Sequence, residues 1–392
     1  MFKLMVLEAI KNFLLQPVVW LAILSIGVTY ARRISFERKQ FRIAINRDFF
    51  EGRHFIKNFF LLGIIGSLIT ILIGVMLPWQ WIIIYQVLMV IAVLIYPFFK
   101  IDSAFFWWIS LLLLGGLSLF SAELANLLPS SIKQQVLLSH SALATSSAAL
   151  LFIAALFLAA KWLMLKRYQS MEISPVIKNG KRGRRLVFYS WQDLALVPLV
   201  CLVPSGTLTN FLPGWFFITI AHHQFQLFIL PAIISSGFKF WRQSAQATYR
   251  FEKRELLELL LAFLVGAGLC YIFPAIFEII IIVLLLLSVV AMILKRRFER
   301  KENNWYVETH DGVRVIAVQP NTPAAKMKIQ PGDEILTCNG LTVHSESELY
   351  AALKTDATFC RFKLRNYAGE LKLAQGAIYA DSPHEIGLVI FH

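Results

Sequence analysis

Long uninterrupted apolar runs dominate the first three quarters of the chain. A helix needs roughly 20 apolar residues to cross the hydrocarbon core of a bilayer. Nine runs approach or reach that length: Phe13–Tyr30, Phe59–Leu77, Trp81–Phe99, Ala104–Phe120, Ala142–Leu165, Leu194–Phe211, Trp215–Ser235, Leu257–Ile272 and Ala275–Leu294. The sixth, seventh and eighth contain proline or are short, so eight spans are the alternative. The pattern predicts a polytopic α-helical membrane domain over residues 1–294.

The pattern changes after Lys295-Arg296-Arg297 to short segments with alternating polarity. A helix is expected after the N-cap Thr322, and another after Ser345, whose Ser-x-x-Glu sequence is a capping box. Asn339-Gly340 predicts a hairpin turn. Strands are expected around Val313–Val318, Glu334–Cys338, Leu341–Val343, Phe359–Arg365, Leu371–Leu373 and Ile386–Phe391. We therefore predict a linker over 295–304, followed by a small α+β domain over 305–392 with five to six strands and two helices.

The composition excludes several classes of protein. The chain is 57% hydrophobic and 16% charged, whereas soluble globular chains are roughly 45–50% apolar and about 25% charged. The excess apolar surface must face lipid, which excludes a single soluble enzyme and a disordered chain. The four cysteines form no Cys-x-x-Cys pair, which excludes a disulfide scaffold.

The distribution of the positive charge predicts the orientation in the membrane. The net charge is +14, and 26 cations fall in the loops 31–58, 166–190, 238–256 and 295–301 and at Lys100, against three (Lys3, Lys11 and Lys133) in the alternate segments. Because cytoplasmic loops carry the excess of lysine and arginine, we expect an external N-terminus and a cytoplasmic C-terminus. Nucleic acid is not an expected partner, since no nucleic-acid-binding fold accompanies the charge.

The basic loops allow two interpretations. They are either solvated connectors or surfaces that face lipid or a protein partner. Phenylalanines alternate with cations over residues 34–60, which is typical of an amphipathic segment on an anionic leaflet. The candidate residues for membrane lipids or a partner are Arg32, Arg33, Arg38, Lys39, Lys181, Arg182, Arg184 and Arg185.

No catalytic, metal or cofactor motif is present, so we expect no enzyme and no cofactor. A zinc protease needs His-Glu-x-x-His, whereas His384-Glu385 is followed by Ile-Gly-Leu. The adjacent His222 and His223 diverge by about 100° on a helix and fit polar packing better than a metal site. Asp193 and Glu278 lie at or within predicted span edges with no obvious partner.

Three motifs in the C-terminal domain resemble a bacterial PDZ domain: Val318–Ala325, Ile329–Ile335 and Asn339-Gly340. Met327-Lys328 stand where the family usually has Ala-Gly, so the short helix lacks its preferred C-terminal glycine. The resemblance implies binding of extended peptides, often C-termini, by addition of a strand to a sheet edge.

In the circularly permuted bacterial form, the resemblance places the carboxylate loop and the ligand strand at the C-terminal end of the domain. Gly387 would let backbone N–H groups turn toward a carboxylate. The implied groove residues are Ile386, Gly387, Leu388 and Ile390 on one wall and Leu349 and Leu353 on the other. The alternative is that these are ordinary core positions. Glu385 would repel a carboxylate, so an internal peptide or a helix end is an alternative ligand.

The whole plan resembles the MinJ family, division-site scaffolds of Gram-positive bacteria. Gln16–Trp20, Arg32-Arg33 and the basic loop before the second span carry this likeness. The resemblance implies an adaptor between DivIVA and MinD that acts at the septum and poles. Two alternatives stay open: a PDZ scaffold for secretion or for a membrane protease, and a transporter with a regulatory PDZ domain, since proline-broken spans such as Leu194–Phe211 can mark substrate sites.

Overall fold

Apolar helices account for most of the first 300 residues. The structure is a computed structural model and describes residues 2–99, 101–119, 140–167, 172–179, 185–204, 217–220, 223–300, 305–356, 358–378 and 386–391. The helices of the membrane domain are α1 (Phe2–Leu15), α2 (Pro17–Phe41), α3 (Phe50–Ile73), α4 (Trp79–Phe99), α5 (Ser103–Leu119), α6 (His140–Leu165), α7 (Ala245–Ile272) and α8 (Phe277–Arg300), the last preceded by a 3-10 turn over Pro274–Ile276.

Six of these helices are long and apolar enough to cross a membrane: α2, α3, α4, α6, α7 and Pro274–Arg300. The shorter α5 is also apolar over Ser103–Leu117. Together they overlap seven of the nine predicted runs. Several extend past the predicted ends into basic segments, as α2 does to Phe41 and α8 to Arg300. Cations in the last turn of a helix interact favourably with its dipole, so the basic segments do not end the helices.

The prediction of helices over Leu194–Phe211 and Trp215–Ser235 is wrong. The described parts of these runs lie in β2 (Arg185–Pro204) and β4 (His223–Phe240), two long antiparallel strands flanked by β1 (Ser174–Asn179) and β3 (Phe217–Ile220) in the order β1-β2-β4-β3. A strand buried on both faces also reads as a continuous apolar run, and periodicity alone does not separate it from a buried helix.

Two prolines fit the strands better than they fit helices. Pro198 and Pro231 are direct partners in the β2–β4 register. Each would remove a hydrogen bond from a helix interior. Directly opposite residues in an antiparallel ladder alternate between hydrogen-bonded and non-hydrogen-bonded pairs. Two opposite prolines fit a non-hydrogen-bonded pair, because neither residue donates an N–H to the other strand there.

Side chains of the surrounding helices satisfy backbone groups of this β-ribbon. Ser67 and Thr70 of α3 donate hydrogen bonds to the carbonyls of Pro198 (2.8 Å) and Val200 (2.6 Å). On β4, the Tyr85 hydroxyl accepts the Ile233 N–H at 3.0 Å. Unsatisfied backbone groups among apolar helices cost several kcal/mol each, so these hydroxyls explain how a sheet packs inside the helical domain.

The basic segments gather at one end of the membrane domain. Arg32 Nε donates to the Pro97 carbonyl (3.1 Å), which joins the ends of α2 and α4. Lys161 of α6 pairs with Asp102 at 2.5 Å, and Lys295 of α8 pairs with Glu252 of α7. This arrangement is the one that the positive-inside pattern requires. The orientation in a membrane stays a prediction.

The C-terminal domain has the predicted strands and two helices. Its strands are β5 (Val313–Val318), β6 (Glu334–Cys338), β7 (Leu341–Thr342), β8 (Phe359–Arg365), β9 (Leu371–Ala377) and β10 (Leu388–Ile390), and its helices are α9 (Pro323–Lys326) and α10 (Glu346–Lys354). The sheet order is β10-β5-β6-β8-β9, with β7 paired to β6.

Two local signals in this domain are confirmed, whereas the Thr322 hydroxyl donates to the Gln319 carbonyl and does not cap the helix that begins at Pro323. Asn339 and Gly340 both have positive φ (50° and 85°), as a tight hairpin turn demands. The Ser345 hydroxyl accepts the Glu348 N–H and caps α10. Lys328, at the position where the family prefers glycine, takes the left-handed conformation itself, with φ 57°.

Candidate peptide-binding groove

Strand β10 lies at the edge of the PDZ-like sheet. It pairs antiparallel with β5, with Leu388 opposite Val318 and Ile390 opposite Val315. Within the described residues, β5 is its only strand neighbour. Leu388, Val389 and Ile390 are themselves buried, so an extended peptide would have to insert beside this edge to pair with its backbone N–H and C=O groups.

The structure brings the six predicted groove residues together. Ile386, Leu388 and Ile390 join Leu349 of α10 in one apolar cluster, and Leu353 packs against it. Leu349 and Ile390 are only 1% and 2% exposed, so they serve as core. Leu353 is half-buried, one turn of α10 further on, and marks the wall of the groove that a ligand can reach. Their role in binding stays a prediction.

Gly387 is held in a conformation that favours glycine. Its φ is 87°, and a Cβ placed there would lie 2.3 Å from Thr322 Oγ1 and 2.4 Å from Thr322 Cβ. Its carbonyl accepts the Gln319 N–H (2.8 Å), and the Ile386 carbonyl accepts the Ala324 N–H (3.1 Å). These bonds fix the loop that precedes β10. The neighbouring His384 and Glu385 lie outside the described residues.

The second face of β10 contacts the membrane domain. Val389 and Phe391, with Ile316 and Ala317 of β5, are buried in a cluster that includes Tyr189 of β2. The sequence prediction missed this interface. Its signal was present, because β5 reads Val-Arg-Val-Ile-Ala-Val and is buried at all six positions, whereas a sheet with one solvated face alternates apolar and polar residues.

Polar contacts reinforce the junction between the two domains. The Tyr189 hydroxyl donates to the Ile316 carbonyl (2.8 Å), and the Tyr367 hydroxyl donates to the Arg242 carbonyl (2.8 Å). The chain leading into the PDZ-like domain also bonds to β2 through its backbone: Val187 N–H donates to the Tyr306 carbonyl at 2.9 Å. The groove therefore has a fixed position against the basic end of the membrane domain.

One ion pair of this junction involves a predicted basic residue. Arg185 donates to the Glu308 carboxylate from both Nη2 (2.5 Å) and Nε (3.0 Å). The hydrogen bond from Arg185 lowers the pKa of Glu308 below its ordinary value. Arg185 thus contacts the PDZ-like domain of the same chain with part of its side chain, which is 31% exposed, and its role toward lipid or a separate partner stays a prediction.

The other predicted basic residues divide into three groups. Arg32, Arg38 and Lys39 are exposed. Arg33 has a side chain only 7% exposed, paired with Glu51 (2.6 Å) and Glu37 (3.5 Å). Its prediction as a lipid-facing or partner-facing residue is wrong, because two buried carboxylates draw it inward. The remaining three, Lys181, Arg182 and Arg184, lie outside the described residues.

The segment 34–60 is mostly helical, and its contact with the leaflet stays a prediction. It forms the end of α2, a short turn and the start of α3. Phe41, Phe50 and Phe55 are buried, and Phe41 packs in the cluster at the PDZ-like junction. Phe36 and Phe49 are exposed. Most of the phenylalanines that the pattern suggested for contact with lipid are instead packed against other parts of the fold.

Asp193 has partners that the sequence did not reveal. It accepts a hydrogen bond from Asn58 Nδ2 (3.2 Å) and lies 3.5 Å from His54 Nδ1. Glu172 lies 3.4 Å from the other nitrogen of the same histidine. This network ties α3 to β2 and accounts for Asp193 as a structural residue.

Comparisons with known proteins agree with this architecture. A model of the PDZ domain family matches residues 297–358. Over 238 residues the chain is 31% identical to the probable cell division topological determinant MinJ of Lacticaseibacillus paracasei. This alignment covers 56% of this chain and 58% of that protein. It is 22% identical over 389 residues to the cell division topological determinant MinJ of Bacillus subtilis (strain 168), with 98% and 95% coverage.

Among solved structures, the PDZ domain of an SdrC-like protein from Listeria monocytogenes matches with 22% sequence identity. The match covers 21% of this chain and 90% of that chain, with a TM-score of 0.18. The first of the MinJ alignments spans little more than half of that relative's length. The chain is homologous to MinJ and has a helical membrane-type region followed by a PDZ domain.

Proposed function

We propose that this chain is a membrane scaffold of the cell-division apparatus that recruits protein partners through its PDZ domain. The homology to MinJ proteins supports a role as a topological determinant of division. By resemblance, its partners are DivIVA and MinD, and its place is the septum and the poles, where it positions the Min machinery. Membrane lipids surround its N-terminal domain.

The outer edge of β10, which pairs with no other strand among the described residues, is the observation that carries this proposal. An extended segment laid beside it gains main-chain hydrogen bonds, and its alternate side chains reach the half-buried Leu353 on α10. The opposite face of β10 is buried against the membrane domain through Val389 and Phe391. A partner bound in this groove is therefore held beside the basic end of the membrane domain.

A groove variant with a matched control tests the proposal. Leu353→Glu places a charge in the wall of the groove, and Ala351→Glu places the same charge on the exposed side of α10. We expect Leu353→Glu to lose partner capture from membranes and septal localisation of a fluorescent fusion. Ala351→Glu should keep both.

Folding and binding are separated by measuring hydrogen exchange of the PDZ domain in each full-length variant. Partner capture by a folded Leu353→Glu protein at the wild-type level would contradict the groove. A uniform membrane signal from the wild-type fusion would contradict the division role and favour a scaffold for secretion or for a membrane protease. The transporter alternative loses its sequence argument, because the described part of Leu194–Phe211 is strand.

A further inference from the structure

A large cavity opens at the basic end of the membrane domain. It has a volume of about 500 Å³ and lies among the ends of α2 and α4 and the strands β1, β2 and β4. Arg33, which pairs with Glu37 and Glu51, lines it together with three further cations from three different elements: Arg32 of α2, Lys178 of β1 and Lys239 of β4. Aromatic side chains, among them Tyr96 and Trp241, form part of its walls.

These three further cations are available, whereas the acids of the cavity are already paired. Glu37 and Glu51 pair with Arg33, and Glu172 lies against His54. Arg32, Lys178 and Lys239 form no ion pair with another described residue, and all three are exposed. Four cations and three carboxylates line the cavity, so the lining carries a net positive charge.

Arg32 is held in place. Its Nε donates to the Pro97 carbonyl (3.1 Å), and its guanidinium lies 4.4 Å from the ring centroid of Phe98. Its two terminal nitrogens form no hydrogen bond to any described residue, and a guanidinium suits the planar two-point recognition of phosphate oxygens. Lys178 lies 5.1 Å from the Phe188 ring and supplies a second positive charge.

The cations repel one another in the absence of an anion. Partial desolvation by the surrounding cavity walls, together with the positive charges of Lys295 and Lys178, lowers the pKa of Lys239 although its side chain still reaches solvent. A second cavity of about 320 Å³ adjoins the first, shares Lys239 and Trp241 with it, and is lined by Lys295 and Arg296. A bound anion would relieve this repulsion across both cavities.

We propose that this cavity binds a phosphate ester anion, and that its source is the headgroup of an anionic phospholipid. Phe36 and Phe98 line the same cavity and are 43% and 56% exposed. Both lie near the ends of membrane-spanning helices, where a headgroup meets its acyl chains. Basic pockets between such helices on the cytoplasmic side are suited to anionic headgroups.

The full-length protein in a neutral detergent tests this site. Retention of phosphatidylglycerol and of phosphatidylcholine is measured by native mass spectrometry. We expect the wild type to retain phosphatidylglycerol at least tenfold better. The combined variant Arg32→Gln, Lys178→Gln, Lys239→Gln should lose most of that preference. A charge-preserving variant, Arg32→Lys, Lys178→Arg, Lys239→Arg, should keep most of it.

The matched control is Arg42→Gln, Arg47→Gln, Lys57→Gln, which removes the same charge from exposed positions outside the cavity. It should retain phosphatidylglycerol. Equal loss in the control would reduce the effect to general surface charge and overturn the site, as would full retention by the cavity variant. If glycerol 3-phosphate binds through the same three cations while phosphatidylglycerol does not, the ligand is a soluble phosphate ester and the lipid source is overturned.

Discussion

Both the backbone conformation and the packing at position 387 require glycine. We expect Gly387→Ala to destabilise the PDZ domain by about 2–5 kcal/mol, because a positive φ costs an L-residue about 1–2 kcal/mol and the added Cβ overlaps Thr322 at 2.3 Å, an overpacking cost of roughly 1–3 kcal/mol. The measurement is the denaturant dependence of hydrogen exchange in the full-length protein.

Gly369 supplies the control for this substitution. Its φ is 82°, with nothing within 4 Å of an added Cβ, so Gly369→Ala should carry only the conformational cost. Equal destabilisation at both sites would show that the Thr322 contact costs nothing. Since Gly387 is needed for the fold, larger residues there measure folding rather than ligand binding, and Leu353 is the better test of the groove.

Lys328 offers a stabilising substitution. It holds a φ of 57° at the end of α9, a conformation that costs about 1–2 kcal/mol for a residue with a Cβ. Glycine removes this strain but loses roughly 0.5–1 kcal/mol more chain entropy on folding. We therefore expect Lys328→Gly to raise the stability of the PDZ domain by about 0.5–1 kcal/mol in the same exchange experiment. Lys326→Gly, inside the short helix, should lower it.

At the scale of elements, close approach of α3 to β2 depends on two glycines. A Cβ at Gly63 would lie 2.7 Å from Pro198 Cγ and Cδ, and a Cβ at Gly66 would lie 2.5 Å from Leu199 Cδ2. We expect Gly63→Ala to lower the thermal stability of the membrane domain by about 1–3 kcal/mol, although alanine is the better helix former.

Gly27 of α2 is the matched control, because nothing lies within 4 Å of its added Cβ. Gly27→Ala should be neutral or stabilising by up to about 1 kcal/mol. Thermal unfolding of both variants in detergent decides the point. Two equally stable proteins would mean that α3 shifts away from β2 at no cost.

The elements divide into those that local signals define and those that packing defines. Asn339-Gly340 and the Ser345 cap carry their own turn and capping chemistry, so the PDZ strands and helices were predictable from the sequence. β2 and β4 were not, since their apolar residues suit a buried strand as well as a span, and only their burial among α3 and the other helices selects the strand. The six groove residues were found by resemblance, whereas the interface formed by Val389 and Phe391 required the three-dimensional contacts.

At the scale of the whole molecule, the grouping of basic segments makes the orientation testable. Arg47 lies between α2 and α3 at the basic end, and Phe273 lies between α7 and α8 at the other end. We expect Phe273→Cys to react with an external impermeant thiol reagent in intact cells and Arg47→Cys to react only after permeabilisation. The four native cysteines are buried and should contribute little background. The reverse pattern would invert the orientation.

The position of the PDZ domain against the membrane domain should respond to pH through Glu308. Its pKa is lowered by Arg185, so the ion pair stabilises the junction above the ordinary carboxyl pKa of about 4.3. That stabilisation is lost as the pH falls through the lowered value. Because the two side chains are 31% and 36% exposed, solvent screening limits the pair to roughly 0.2–1 kcal/mol.

Glu308→Gln should therefore lower the denaturation midpoint of the full-length protein at pH 7, and the difference from wild type should shrink at acid pH and in high salt. Glu370→Gln, whose carboxylate bonds within the β8–β9 turn, controls for loss of an acidic charge elsewhere in the domain. A double-mutant cycle with Arg185→Gln isolates the pair. A coupling energy near zero at pH 7 would mean that the apolar contacts and the Tyr189 and Tyr367 hydrogen bonds hold the junction without the ion pair. The position of the PDZ domain would then not depend on pH over the range in which the protein stays folded.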